Sequence, residues 1–566
     1  MWGTLAGMNS ELKVEHERVD DIPLILALAK AVGVAEILDR HLGNHGLQAG
    51  LSNGQLAAVW VAYILSAGDH RKSALEPWIA SRRAALSGLT GQALGEAEGN
   101  DDRLGRLLRR LSKDTAWNAI EAEMWQGTVT VLGSAADAEV VERVHLDSTT
   151  SYGYHTVGED GLMQLGHSKD HRPDLGQFKL MAAVTVPARQ MVAADIVAGH
   201  RADDGLYLPL IRRVRSVLGR KGLLYVGDVK MAAKQTRAAI AAGGDHYLTM
   251  LPKAAHTDEI AGWLKIAQAG EAPVAEHTRS LSAKVDGRHV TWEERVVLHR
   301  SDSHRDRLSR DLDERLAKAS QEIFALTPEP GRGKRLFTNV DALAAAITKV
   351  ERSCDVAGML LVTWRPEPHP APGKPDRLRF VVQDVHLLDH VIAPRRAALG
   401  WRALVTNDLP GRLPTGEVPA IYNQSWNVEQ QFHNLKDRPL GIQPLGVSRD
   451  DQIVGLSRLL ILALRLLTLL EVKVRRALTS TATSLVGLYP GQPKRATDRP
   501  TGRRLLEAIY AAQVTLTHIR GPGIDQVHLA PLPSIVASIL DLLGLPHAIY
   551  YDLAATARFD LRVSAK

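Results

Sequence analysis

Between residues 139 and 252 the apolar pattern switches from helical spacing to short β-branched and aliphatic runs. That switch limits the chain to few architectures. EVVERVHLD (139–147) reads as a strand, and FKLMAAVTV (178–186) and MVAADIVAG (191–199) flank the turn-like spacer PARQ as a hairpin. DDGLYLPLIRRVRSVLG reads as a helix, LLYVGD as a buried strand, MAAKQTRAAIAAG as a helix and HYLTMLP as another strand. The order β-β-β-α-β-α-β calls for an α/β fold: a mixed sheet, its first three strands antiparallel, with helices packed on it. Asp147 stands at the end of the first expected strand and Asp228 at the end of the fourth. Ligands of open α/β sheets collect at the carboxyl ends of strands, so both acids are site candidates. Taken singly, each also reads as a turn or cap acid.

The flanks differ from this core. Residues 1–135 read as a helical N-terminal region: IPLILALAKAVGVAEILDRHL is one helix ending near Gly43, and two further helical stretches follow. Residues 136–252 form the first part of the core, and 253–400 interrupt it as an α+β insertion. The insertion has a charged helix (SDSHRDRLSRDLDERLAKASQEIFAL), strand-like pieces and a proline-rich loop, RPEPHPAPGKPD. Residues 401–450 return to the core with the strand WRALVTND, and 451–566 read as a helical C-terminal region. Within it, residues 453–470 are apolar enough to raise the question of a membrane span. Arg458 and Arg465 lie inside that stretch, each costing about 2.5–3.5 kcal/mol near a bilayer centre, so a buried helix of a globular protein is expected instead. The single cysteine, Cys354, excludes an internal disulfide and a cysteine-based zinc site. It fits a reducing cytoplasm, as does an N-terminus without the pattern of a signal peptide. A net charge of +6 favours a polyanionic partner only mildly.

IYNQSWNVEQQFHNLK reads as a helix. Seven residues make nearly two turns, so Tyr422, Glu429 and Lys436 share a stripe, with Trp426 and His433 beside it. Ile421, Val428, Phe432 and Leu435 form a separate apolar stripe. A plain amphipathic helix with a solvated face satisfies the same pattern. HSKDHRPD carries Lys169, His171 and Arg172, placed either to grip phosphates or as a solvated polar loop. No compact four-ligand set accompanies its histidines, which argues against zinc. Trp426 reads equally as a stacking platform for an unpaired base and as a core residue.

Tyr422-x-x-Ser425-x-x-x-Glu429 followed after six residues by Lys436 resembles the Y-x-x-R-x-x-x-E-x-x-x-x-x-x-K signature of bacterial insertion-sequence transposases of the DDE class. Ser425 stands where that family usually has Arg. GHSKDHRPDLGQFKL is similar to the Ser-Lys-Asp-x-Arg-Pro-Asp block of one branch, and NDDRLGRLLRRL, HLDSTT, GHRADD, YVGDVKMAA and HYLTMLPK resemble further blocks in family order. The resemblance implies a ribonuclease H-like core with Asp147, Asp228 and Glu429 as catalytic acids and metal ligands. It also implies contacts to DNA from Tyr422 and Lys436, to which the residues themselves add Lys169, His171, Arg172 and Trp426. Three clustered carboxylates suit two Mg²⁺, or Mn²⁺ in substitution, because hard cations prefer oxygen ligands. The implied activity is cut-and-paste transposition: binding terminal inverted repeats, metal-assisted cleavage and strand transfer into target DNA. The implied partners are double-stranded DNA and a second copy of the chain, in the bacterial cytoplasm and on the nucleoid. A ribonuclease H-like nuclease that never joins strands, and a catalytically silent DNA-binding relative, are the alternatives.

Overall fold

The computed structural model describes residues 12–44, 50–133, 141–252, 259, 262–265, 274–331, 334–369, 377–522 and 524–556. The chain forms two compact units, one of Met1–Leu248, Ser282–Thr291 and Tyr422–Lys566, the other of Thr249–Leu281 and Trp292–Ile421.

The first unit holds the sheet expected from the strand pattern. Its strands are β2 (Val141–Gly153), β3 (Gly176–Pro187), β4 (Met191–Ala198), β5 (Leu224–Gly227) and β6 (His246–Met250), adjacent in the order β4-β3-β2-β5-β6. β2 pairs antiparallel with β3, and β3 with β4. β5 runs parallel to both β2 and β6. The connecting helices are α8 (Tyr207–Leu218) and α9 (Lys234–Ala242). The β3 residues Phe178 to Val186 are buried almost throughout, as a strand covered on both faces requires.

Helices α1 to α7 lie within residues 22–132. Residues 22–42 are two helices rather than the expected one: α1 (Ile22–Val32) stops at Gly33, whose φ of 83° ends it, and α2 (Val34–Leu42) starts there. α3 (Asn53–Ala67) begins with a full capping box of Ser52 and Gln55. The apolar stretch near residue 460 is the centre of a long helix, Asp450–Ser480, with 94% of its most apolar window buried inside the fold. By length and composition alone that helix passes for a membrane span. Its side chains form one core with those of α1 to α7. Gly455 lets it approach α6 (Asp101–Leu111) closely: a Cβ there would stand 2.1 Å from the Leu108 carbonyl oxygen. Arg458 donates to the Leu111 carbonyl at 2.8 Å and pairs with Asp114. Burial pushes the fully buried Arg465 guanidinium down to about 10, against the pull of Glu121.

The flanking regions are not helical throughout. β1 (Lys13–Arg18) pairs with β12 (Thr515–Gly521), which pairs with β13 (Ile524–Leu529). This three-stranded sheet joins residues 13–18 to residues 515–529.

In the second unit, β8 (Arg288–Arg300) lies beside β7 (Val274–Val285) and pairs antiparallel with β11 (Trp401–Thr406). The helix Asp302–Ala325 buries Leu312, Leu316, Ala319 and Ile323, one stripe at helical spacing. They share a core with Leu343 and Ile347 of the helix Val340–Ser353 and with Leu360 and Val382 of the hairpin β9 (Leu360–His369) and β10 (Arg377–Leu387). The first residues of the expected proline-rich loop, 365–369, belong to β9. Prolines are tolerated there because β9 and β10 form a two-stranded sheet in which each strand has a free edge. Residues 370–376 of that loop lie outside the described residues.

Candidate active site

Asp147 and Asp228 meet through strand register. β2 and β5 are parallel, with Leu146 opposite Gly227 as their last paired residues. The next residue on each strand is an acid. Asp228 immediately follows β5, as expected, and caps a 3₁₀ turn by accepting the Lys230 N–H at 2.8 Å. Asp147 departs from expectation: it stands in the middle of β2, which continues to Gly153. The following Ser148, Thr149, Thr150 and Ser151 stay in the strand and are all buried. β2 outruns its parallel neighbour at Asp147 and goes on pairing with β3 alone.

The electrostatics agree with this closeness. Burial raises the Asp147 carboxyl above its ordinary range, and the charge of Asp228 adds to the rise, while Lys169 and the Ser148 N–H oppose it. The Lys169 ammonium lies 3.3 Å from Asp147 Oδ1 and donates to the Ser148 carbonyl at 2.5 Å. The Tyr207 hydroxyl donates to Asp228 Oδ1 at 2.6 Å. Burial pushes that phenol far up, and the charges of Asp228, Asp147 and Asp203 push it further. The charge of Asp203 thus acts on the same phenol as those of the pair. Burial alone would raise the Asp203 carboxyl, yet it sits below the carboxylate range because Lys179 donates to its Oδ1 at 2.5 Å.

Glu429 occupies the first turn of the helix Trp426–Lys436, which packs on β2 and β3 through the buried Val428, Phe432 and Leu435. The run from Tyr422 is not one helix. A short helix, Val418–Tyr422, passes into a 3₁₀ turn at Asn423–Ser425 before Trp426. The turn breaks the regular 100° step, so the expected single stripe from Tyr422 through Glu429 does not run unbroken. Gln424 in that turn accepts from Arg143 of β2 at 3.0 Å. Ser425 donates its hydroxyl to Glu429 Oε1 at 3.3 Å. Glu429 is exposed.

Among the described residues, no three His, Cys, Asp or Glu side chains are gathered closely enough to hold a metal ion. Asp147 and Asp228 form a pair, and Glu429 does not close it into a ligand cluster. Like carboxylates a few Å apart repel by about 4 kcal/mol per pair at an effective dielectric of 20, which opposes closure without a countercharge. The pair itself suits a hard cation: two carboxylates on neighbouring strand positions, with an ammonium already lying against one of them.

The other expected site residues have surroundings of their own. Lys436, near the end of the Glu429 helix, meets Asp170 at 2.5 Å. Arg172 grips Asp174 through two bonds, at 2.9 and 2.8 Å, and lies over the Tyr152 ring. His171 is exposed in a left-handed conformation, φ 57°. Trp426 is 50% exposed, with the Arg189 guanidinium 5.6 Å from its ring. Tyr422 is half-buried. Sequence reasoning missed Tyr207, Asp203, Lys179 and Asp170. The GHRADD block contains Asp203, but nothing local showed which way that acid pointed.

No curated protein matches the chain. Among solved structures, a piggyBac transposase synaptic complex with hairpin DNA is similar at 8% identity and a TM-score of 0.33, covering 96% of this chain and 87% of that one. The family model described as "Transposase DDE domain" matches residues 142–466, a span that includes Asp147, Asp228 and Glu429 and more than half of the chain. The chain therefore belongs to the DDE transposase domain family.

Proposed function

We propose that this transposase binds the terminal inverted repeats of its own insertion sequence, cleaves DNA there and joins the freed 3′-hydroxyls to target DNA. The reading rests on one observation above the others: Asp147 and Asp228 directly follow the last paired residues of two parallel strands, beside a helix that carries Glu429. The strand order β4-β3-β2-β5-β6 supports a ribonuclease H-like description of the core. Asp147, Asp228 and Glu429 would hold Mg²⁺, or Mn²⁺ in its place. Two such ions, when bound, supply activation of the attacking hydroxyl and charge stabilisation at the leaving oxygen.

The protein's own groups have separate tasks. Tyr207 fixes the orientation of Asp228 through its hydroxyl. Lys169 offsets the charge of Asp147, and its ammonium, if released from that carboxylate, would be placed to serve a backbone phosphate. Ser425, in place of the family's Arg, gives Glu429 a hydroxyl partner instead of a phosphate contact. Trp426, held against Arg189, offers a ring face to an unpaired base. His171 and Arg172, at the exposed turn, border the path of the backbone. Two copies would act on paired ends.

The test is cleavage of a labelled element end in Mg²⁺. Asp147→Asn, Asp228→Asn and Glu429→Gln should each abolish cleavage and leave end binding intact. Near-normal cleavage by any one of them removes that residue from the catalytic set. Cutting without joining in a strand-transfer assay would instead indicate a nuclease.

A further inference from the structure

The residues that carry the acids are joined by a carboxylate that the catalytic triplet does not include. Asp170 lies in the turn after Ser168 and is largely buried, its side chain 16% exposed. One of its oxygens, Oδ1, takes the Lys436 ammonium at 2.5 Å. The other, Oδ2, accepts from the hydroxyl of the buried Thr150 at 3.3 Å. Thr150 lies three residues beyond Asp147 on β2, and Lys436 lies two helical turns beyond Glu429. Asp170 therefore spans the strand of the first acid and the helix of the third.

The turn that presents Asp170 is itself braced. Ser168 Oγ accepts the N–H groups of Asp170 at 3.2 Å and Arg172 at 3.1 Å. Thr150 Oγ1 accepts the Lys169 N–H at 3.0 Å. The adjacent residue, Lys169, sends its ammonium to Asp147. One dipeptide thus touches the first acid directly and the third acid's helix through an ion pair.

We propose that Asp170 is a positioning residue, and that Lys436 works by docking the Glu429 helix onto β2 through Asp170 rather than by holding a DNA phosphate. The proposal rests on the transposase reading for its catalytic consequence, but not for its structural one. At 17% exposure and with a buried carboxylate partner, the Lys436 ammonium is already engaged. Removing either partner releases the end of the helix, and Glu429 with it. Because the two residues form one link, losing both does no more harm than losing one.

The variants are Asp170→Asn, Lys436→Met and the double variant, all in the full chain. Cleavage of an element end should fall on the order of ten- to a hundredfold in each single variant. The double variant should be no worse than the worse single. The Mg²⁺ concentration for half-maximal cleavage should rise in all three, as expected of a displaced ligand. The salt dependence of end binding by Lys436→Met should match that of the unaltered protein. Without DNA or metal, amide hydrogen exchange across Trp426–Lys436 should quicken in Asp170→Asn. Multiplying losses in the double variant would overturn the proposal. So would a salt slope reduced by about one in Lys436→Met, the mark of a lost phosphate contact. Unchanged exchange in the helix of Asp170→Asn would also overturn it. If the unaltered chain cuts no DNA, the transposition reading fails, and the exchange comparison still decides the helix link.

Discussion

Replacing Asp147 by Asn should make the cation-free protein more stable while abolishing its chemistry. Neighbouring strands lie about 4.8 Å apart, and carboxylates carried at adjacent positions stand roughly 5–6 Å from each other. At an effective dielectric of about 20 their repulsion is on the order of 3 kcal/mol. The Lys169 contact opposes it, but both partners are about one-third or one-quarter exposed, with side chains 33% and 26% accessible. A pair that accessible is worth about 0–1 kcal/mol. Burial of Asp147 adds to the cost of its charge. Asn keeps the side-chain oxygen that accepts the Ser148 N–H at 2.7 Å, so the exchange removes charge and little else. The expected gain at pH 7 in EDTA is about 1–2 kcal/mol after solvent screening. The sign with pH follows from the raised carboxyl of Asp147. A group whose folded value lies above its unfolded one favours the fold fully below the unfolded value, here 3.8, and loses that favour as pH rises through the folded value. The gain from Asp147→Asn should therefore be near zero below the unfolded value and grow as pH rises through the folded one. Urea unfolding of both proteins in EDTA across that range measures it. An Asp147→Asn protein less stable than the original at pH 7 would refute the placement of two charged acids side by side.

Glu429→Gln should shift unfolding by no more than about 0.5 kcal/mol, since the residue is exposed and bonded to Ser425; a large loss in urea unfolding would give Glu429 a structural role. Gly455→Ala should destabilise by about 1–3 kcal/mol, because its methyl would press on the Leu108 carbonyl of α6; a lowered thermal midpoint checks it, and an unchanged one would deny the close helix contact.

What could be read from sequence follows from what is local. The strands around Asp228 were legible because LLYV is an unbroken buried run that ends at Gly227, and the acid follows at once. The extent of β2 was not. Ser148, Thr149, Thr150 and Ser151 look like a turn, yet all four are buried in the strand, where the Thr150 hydroxyl donates to Asp170 and the Ser151 hydroxyl to the Ile442 carbonyl, 291 residues away. The helix break at Gly33 was obscured by apolar residues that keep helical spacing on both sides of it. β1 and β12 could not be paired in advance, since Arg18 meets Thr515 across nearly the whole chain. The same distance hid Asp170, whose partner Lys436 lies 266 residues away. Strand ends made Asp147 and Asp228 candidates and the ordered blocks of family resemblance added Glu429, whereas the contacts that orient all three were legible only in the fold.

Asp147, Asp228 and Glu429 should converge on the same cations. Anomalous diffraction from crystals of the protein with Mn²⁺ and a bound element end tests it directly. Mn²⁺ should stand at coordination distance, about 2.1 Å as for the Mg²⁺ it replaces, from Asp147 and Asp228, with a Glu429 oxygen on one of the ions. Cations bound elsewhere, or bound to the two aspartates with Glu429 outside coordination distance of any of them, would contradict it.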